Sequence, residues 1–272
     1  RADPVSGVRP LTSRFGDIYA VGGYPQSNYN AMQLTFRRNL TNGLRFNANY
    51  TWSHTIDDVV GFFKDYQDEN NARAERASSD QDVRHNFTLD AGYDLKFRKW
   101  FGSGPKWLID GWQINSIVQI RSGLPVTITR TGGIFSGFSF RPNIVPGVSQ
   151  YCQPYSVPNC QFNPAAFSDP GPGVFGNAGR NILRGPGFAQ VDASLFKNTR
   201  LTERMTLNLR LEIFNLLNRA NYADPSGGIS CGGSVGACSA FGRSTSTVGN
   251  QLGGLLGFGG PRQVQLSARL NF

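Results

Sequence analysis

Helical signals are scarce in this chain, and no run approaches the ~18 consecutive apolar residues that a membrane-spanning helix needs. Charged residues make up only 17% of 272 residues, against 39% hydrophobic and 12% aromatic, which excludes a disordered chain. Histidine is nearly missing. His54 and His85 are the only two, and both fall in register with aromatic residues, Trp52 and Phe87, so each is expected on a lipid-facing surface where a catalytic base has no pocket. The four cysteines lack paired C-x-x-C spacing, which disfavours a thiolate zinc site. Glycine-rich runs such as Pro170-Gly-Pro-Gly173, Gly227-Gly228 and Gly257-Phe-Gly-Gly260 lack the lysine of a phosphate-binding loop. The net charge is +9, yet no basic stripe interleaved with aromatics stands out, so nucleic acid is not an expected partner. No enzymatic activity, cofactor or metal is expected. The opening Arg1-Ala-Asp-Pro4 carries no initiating Met, basic leader or apolar signal core, so either a secretion signal was removed or the chain is a fragment.

What the chain does contain is alternation. Leu44, Phe46, Ala48, Tyr50 and Trp52 oppose Arg45, Asn47, Asn49, Thr51 and Ser53 without a break. From His85 to Arg98 the pattern returns, with Phe87, Leu89, Ala91, Tyr93, Leu95 and Phe97 against Asn86, Thr88, Asp90, Gly92, Asp94, Lys96 and Arg98. Trp112 to Arg121, Ala189 to Leu195, Met205 to Ile213 and Arg262 to Phe272 repeat it, a less regular strand runs from about Tyr29 to Leu40, and a short one from Asp17 to Val21. Runs of about ten residues with one apolar and one polar face are what a tilted strand needs to cross a bilayer. A mean hydropathy of −0.32 does not conflict with this, because such a strand turns only alternate side chains to lipid.

The connections alternate too. Thr41-Asn-Gly43, a moderate turn around Phe101 to Lys106 and one near Thr199 to Glu203 are short; the segments from about Asp57 to Asp82, Leu124 to Gly187 and Asn218 to Gly260 are long. Loops of that length are unusual in a compact soluble domain. Short turns at one rim and long loops at the other predict an all-β, antiparallel transmembrane β-barrel with periplasmic turns and outer loops, of which about seven or eight strands are visible. The charges on its wet face, Arg45, Arg84, Asp90, Asp94, Lys96, Arg210, Glu212 and Arg269, are expected to line the lumen, chiefly as structural ion pairs. Tyr50, Trp52, Tyr93, Trp100, Trp107, Trp112 and Phe272 supply interfacial aromatics. In the first long loop, Asp57, Asp58, Asp65, Asp68, Glu69, Asp80 and Asp82 match no calcium-loop spacing and read as a solvated acidic loop. Cys152 with Cys160 and Cys231 with Cys238 predict two short-range disulfides, one in each of the later long loops, in an oxidising compartment.

Three stretches resemble the C-terminal barrel of TonB-dependent receptors, in particular the Oar-like branch of soil acidobacteria: Ser27-Asn-Tyr-Asn-Ala-Met-Gln-Leu34, Phe46-Asn-Ala-Asn-Tyr-Thr-Trp-Ser-His-Thr-Ile-Asp-Asp58 and Arg210-Leu-Glu-Ile-Phe-Asn-Leu-Leu-Asn218. The terminal Gln265-Leu-Ser-Ala-Arg-Leu-Asn-Phe272 resembles the signal read by the outer-membrane assembly machinery, with Gln265, Ser267, Leu270 and Phe272 as its marks and Ser267 where Gly is commonest. The resemblance implies a 22-stranded barrel in the bacterial outer membrane, with a plug and a TonB box absent from this chain. Residues 1–272 would then be the C-terminal part of that barrel. It further implies TonB-coupled uptake of a solute, with outer-membrane lipid, the TonB system and the assembly machinery as partners. The competing expectation is a closed eight-stranded structural or adhesive surface barrel whose disulfide-bonded loops bind a partner.

Overall fold

The computed structural model describes residues 25–39, 43–58, 66–68, 71–102, 104–130, 140–171, 174–231, 234–235, 239–251 and 259–272. Seven long strands make one antiparallel sheet: β1 (Ser27–Asn39), β2 (Leu44–Asp57), β3 (His85–Leu95), β4 (Trp112–Arg121), β5 (Phe188–Arg200), β6 (Thr206–Phe214) and β7 (Gln263–Asn271). Each pairs with its sequence neighbours, so the sheet is an up-and-down meander, and a short eighth strand, Ala77–Ser78, adds to the long-loop end of β2. Among the described residues β1 and β7 do not pair, and the sheet stays open. The short strand expected from Asp17 to Val21 lies outside the described residues.

The register explains the alternation. Leu34 lies opposite Tyr50, Tyr50 opposite Phe87 and Phe87 opposite Ile120; Leu195, Leu211 and Leu266 continue the same face. Partners directly across a ladder share a face, so one slip of register would put this whole apolar set on the polar side. The apolar face is uncovered by protein: Leu34, Phe36, Ile120 and Leu266 are exposed, as an outward face against lipid requires. Gly43, in the expected Asn-Gly turn between β1 and β2, has a φ of +88°, where a side chain would be strained.

Three details differ from the sequence reading. The strand from His85 stops at Leu95: Lys96 turns the chain, Phe97–Phe101 is helical, and with the helix Lys106–Ile109 the connection runs across 96–111. Phe97 and Arg98 therefore leave the ladder. In β4 the apolar face holds Ser116, while Ile117 joins the polar face opposite Asp90 and Asp192. β5 continues past Leu195 to Arg200, which places Lys197 on the apolar face, opposite Trp112 and Leu209.

The apolar core sits outside the sheet. Ile128, Phe162, Ala166, Phe167, Leu183, Ile229 and Phe241 form one buried cluster, all drawn from the connections between β4 and β5 and between β6 and β7. Fully burying each large side chain is worth roughly 1.5–3 kcal/mol. Short ladders brace the cluster: Pro125–Val126 with Leu183–Arg184, Asn143–Ile144 with Phe167–Ser168, and Tyr151–Ser156 with Cys160–Phe162. Thr129 bridges to Gly228, and a side chain on the adjacent Gly227 would lie 2.2 Å from the Thr127 carbonyl, so the two loops approach at backbone distance.

Candidate functional site: a loop layer over the polar face

Two ion pairs lie on the polar face, Arg45 with Asp94 and Arg210 with Glu212. Arg45 reaches across Gly92 to donate to Asn115 Oδ1 at 2.8 Å and lies 3.8 Å from Asp94, which also accepts from Gln113 Nε2 at 2.8 Å. A Cβ at position 92 would sit 2.7 Å from Asn115 Oδ1 and 2.8 Å from the Arg45 guanidinium, so the glycine opens that crossing. Arg210 lies 3.7 Å from Glu212 and stacks over the Phe196 ring at 4.4 Å. Asp90 lies opposite Asn47, and Arg269 opposite Asn208, on the same face. Lys96 stands beyond the end of β3, exposed, at the start of the helical connection.

Loops fold onto this face at its long-loop end. Asp192 Oδ1 accepts from the Asn215 amide at 2.8 Å and from Gln190 Nε2 at 2.9 Å, and Gln190 Oε1 accepts from the Gly259 amide at 2.8 Å. Arg121 lies 5.1 Å over the Phe188 ring. Asp224, pressed over Gly185, has its carboxyl raised by burial, an effect that Arg121 partly offsets.

The first two long loops are joined by arginine and carboxylate. Arg180 donates to the Asp57 carboxylate and carbonyl, to the Glu75 carbonyl at 2.9 Å and to Asp80 at 3.3 Å. Arg141 meets Glu75 at 2.6 Å, and both are buried. Arg184 meets Asp82 at 2.5 Å. Burial alone would raise the Asp82 carboxyl, but the Thr55 amide and the Arg184 and His54 side chains together hold it below the usual carboxylate range. Gln67 completes the lattice, donating to the Gly176 carbonyl at 3.0 Å and accepting from the Arg141 amide at 2.8 Å.

The expected solvated acidic loop is thus corrected at Asp57 and Asp82: arginines of the next loop grip them, because a carboxylate leaving water needs a cation and amide donors, whereas Asp80 meets Arg180 but stays half exposed. Asp65 and Glu69 lie outside the described residues. Arg141, Arg180 and Arg184 lie outside every alternating run, and the signal for them in the sequence is an arginine-bearing loop following an acidic one. Arg84 was expected at the lumen, yet its guanidinium turns to His54 at 2.9 Å and to Asp82 at 3.4 Å. His54 keeps the predicted strand parity, but its ring is drawn into this lattice, 3.3 Å from Asp82. His85 lies on the apolar face, 2.8 Å from the Tyr50 hydroxyl.

Cys152 and Cys160 are bonded and tie down the strand pair beside the loop core. Cys238 lies outside the described residues, so the second expected bridge does too. Gln265 and Ser267 fall on the polar face opposite Glu212 and Arg210, Leu270 on the apolar face opposite Leu207, and Phe272 is 96% exposed beyond the end of β7.

A meander with an uncovered apolar face, a charged face and long loops gathered at one end is the architecture of a membrane barrel wall. No curated protein and no solved structure matches the chain. The family model described as outer membrane beta barrel domain matches residues 2–265, nearly the whole sequence, and the chain belongs to that family of bacterial outer-membrane β-barrels.

Proposed function

We propose that this chain forms wall and mouth of an outer-membrane receptor that takes up a solute by TonB-coupled transport. The observation that carries the reading is the folded loop layer seated on the charged face through Gln190, Asp192 and Asn215. Loops that carry their own core and a buried ion-pair lattice present a fixed binding surface at low ordering cost, and beneath it a hydrophilic wall suits passage of a polar solute. The face charges, Arg45, Asp90, Asp94, Arg210, Glu212 and Arg269, line that passage in this reading. Energy coupling rests on the resemblance of the strand sequences to TonB-dependent receptors. No covalent chemistry is involved.

The test compares depletion of medium solutes by host cells with and without the full reading frame, each with and without an active TonB system. A solute whose depletion requires both supports the reading. If no solute depends on TonB while attachment of cells to a surface or partner is lost with the gene, the chain is an adhesive barrel instead.

A further inference from the structure

The connection 96–111 has no part in the loop layer, and it lies against the opposite face. Lys197 and Thr199 share a face with Leu195 and Leu211, yet both are buried. Lys197 Nζ donates to the Asp110 carbonyl and sits 5.1 Å over the Trp112 ring, and Thr199 Oγ1 donates to the Trp107 carbonyl at 3.2 Å. The Trp112 indole donates to the Leu108 carbonyl at 2.8 Å, and Phe97 packs edge-on against the same indole at 6.2 Å. The segment is therefore draped over the lipid-side rim at the short-turn end, where it masks a lysine that would otherwise meet hydrocarbon.

Its outward surface is both greasy and basic. Trp107 and Leu108 are 62% and 50% exposed although their backbone is hydrogen-bonded in place. Arg98 pairs with Asp110 at 3.2 Å, whereas exposed Lys96, Lys99 and Lys106 pair with no carboxylate among the described residues. An open hollow of about 590 Å³ at this rim has Lys96, Arg98, Lys99 and Trp112 in its wall together with Asp94 and Asp110, whose carboxylates face the Arg45 and Arg98 guanidinium groups and leave Lys96 and Lys99 as the unpaired charges among the described residues. An indole at the level of the headgroups beside unpaired ammonium groups matches a phosphate attached to acyl chains, and basic clusters at such a level recognise anionic headgroups.

We propose that residues 96–102 and 104–111 form a docking site for an anionic glycerophospholipid of the leaflet at the short-turn rim, with Lys96, Lys99 and Lys106 holding the headgroup phosphate and Trp107 and Leu108 entering its interfacial zone. A zwitterionic lipid gains less, because its own ammonium group opposes the lysines. The site depends on the membrane barrel and is independent of any solute.

The test uses protein purified from outer membranes with its full reading frame. Phosphatidylglycerol and phosphatidylcholine with the same acyl chains are titrated separately into the detergent-solubilised protein, and retained lipid is counted by native mass spectrometry. Each basic residue near a charged surface contributes roughly fivefold before screening, so phosphatidylglycerol should be retained at least about tenfold better. The variant Lys96→Gln/Lys99→Gln/Lys106→Gln, checked for folding by its shifted electrophoretic mobility, should level the two lipids. Equal retention by the unmodified protein, or an undiminished preference in the triple variant, overturns the proposal. Displacement of phosphatidylglycerol by an equal concentration of inorganic phosphate also overturns it, in favour of a soluble anion. Should the triple variant fail to fold, brominated phosphatidylglycerol decides: it should quench a component of the tryptophan emission that is missing in Trp107→Phe, and equal quenching in both proteins counts against the site.

Discussion

Replacing Arg180 with Met should open the loop layer while leaving the sheet intact. The guanidinium, whose side chain is only 3% exposed, serves Asp57, Asp80 and the Glu75 carbonyl at once. Its loss strands the Asp57 carboxylate, itself 10% exposed, without a cation. Breaking a buried pair from one side costs about 3–5 kcal/mol, which lowers the local opening constant's protection by about two to three and a half decades. Hydrogen exchange should show that loss at amides of 66–68, 71–82 and 176–184, while amides in the β3, β4 and β5 ladders keep their protection. Adding Asp57→Asn to the variant removes the orphaned charge and should restore part of the protection. Unchanged loop exchange would refute the arithmetic, and equal acceleration in the strands would refute the separation of loop layer from sheet.

Because the Asp82 carboxyl is held below its ordinary range, its contribution is complete above the unfolded value of ~4 and is lost as pH falls through the lower folded value. Loop protection against protease should therefore hold from neutrality down to that range and fail below it; Asp82→Asn should show the loss already at neutral pH. Gly92→Ala should cost about 1 kcal/mol by displacing Arg45 from Asn115, and almost nothing further in an Arg45→Ala/Asn115→Ala background, as read from urea unfolding midpoints. Deleting Phe272 should reduce membrane insertion far more than solubility of the secreted precursor; normal insertion without it would remove its role as an assembly mark.

The sheet was legible in the sequence because period-two alternation reports directly on which side chains share a face. Leu44 to Trp52, Phe87 to Leu95 and Val264 to Leu270 have partners on the face their parity required. The exceptions are ends and interruptions: Phe97 and Arg98 continue the pattern on paper, but the chain turns at Lys96 to cover Lys197, which meets Asp110 across 87 positions. The loop layer was illegible for the same reason. Ile128, Phe162, Ile229 and Phe241 have no common period, and Arg180 meets Asp57 across 123 positions, so neither cluster leaves a local trace. Charge balance between successive loops was the one signal that reached across such distances.

The shared core of the last two long loops also limits how this surface can be changed. Ile128, Phe162 and Leu183 come from one loop and Ile229 and Phe241 from the next, so neither can be exchanged alone without exposing the other's half of the cluster. A chimera that transplants both loops together, joined within β5 and at the strand ends, should keep the cluster closed. Inheritance by recombination faces the same restriction: breakpoints in β1 are tolerable where register is kept, while those in β5 or β6 fall between the paired loops and separate residues that fold only together.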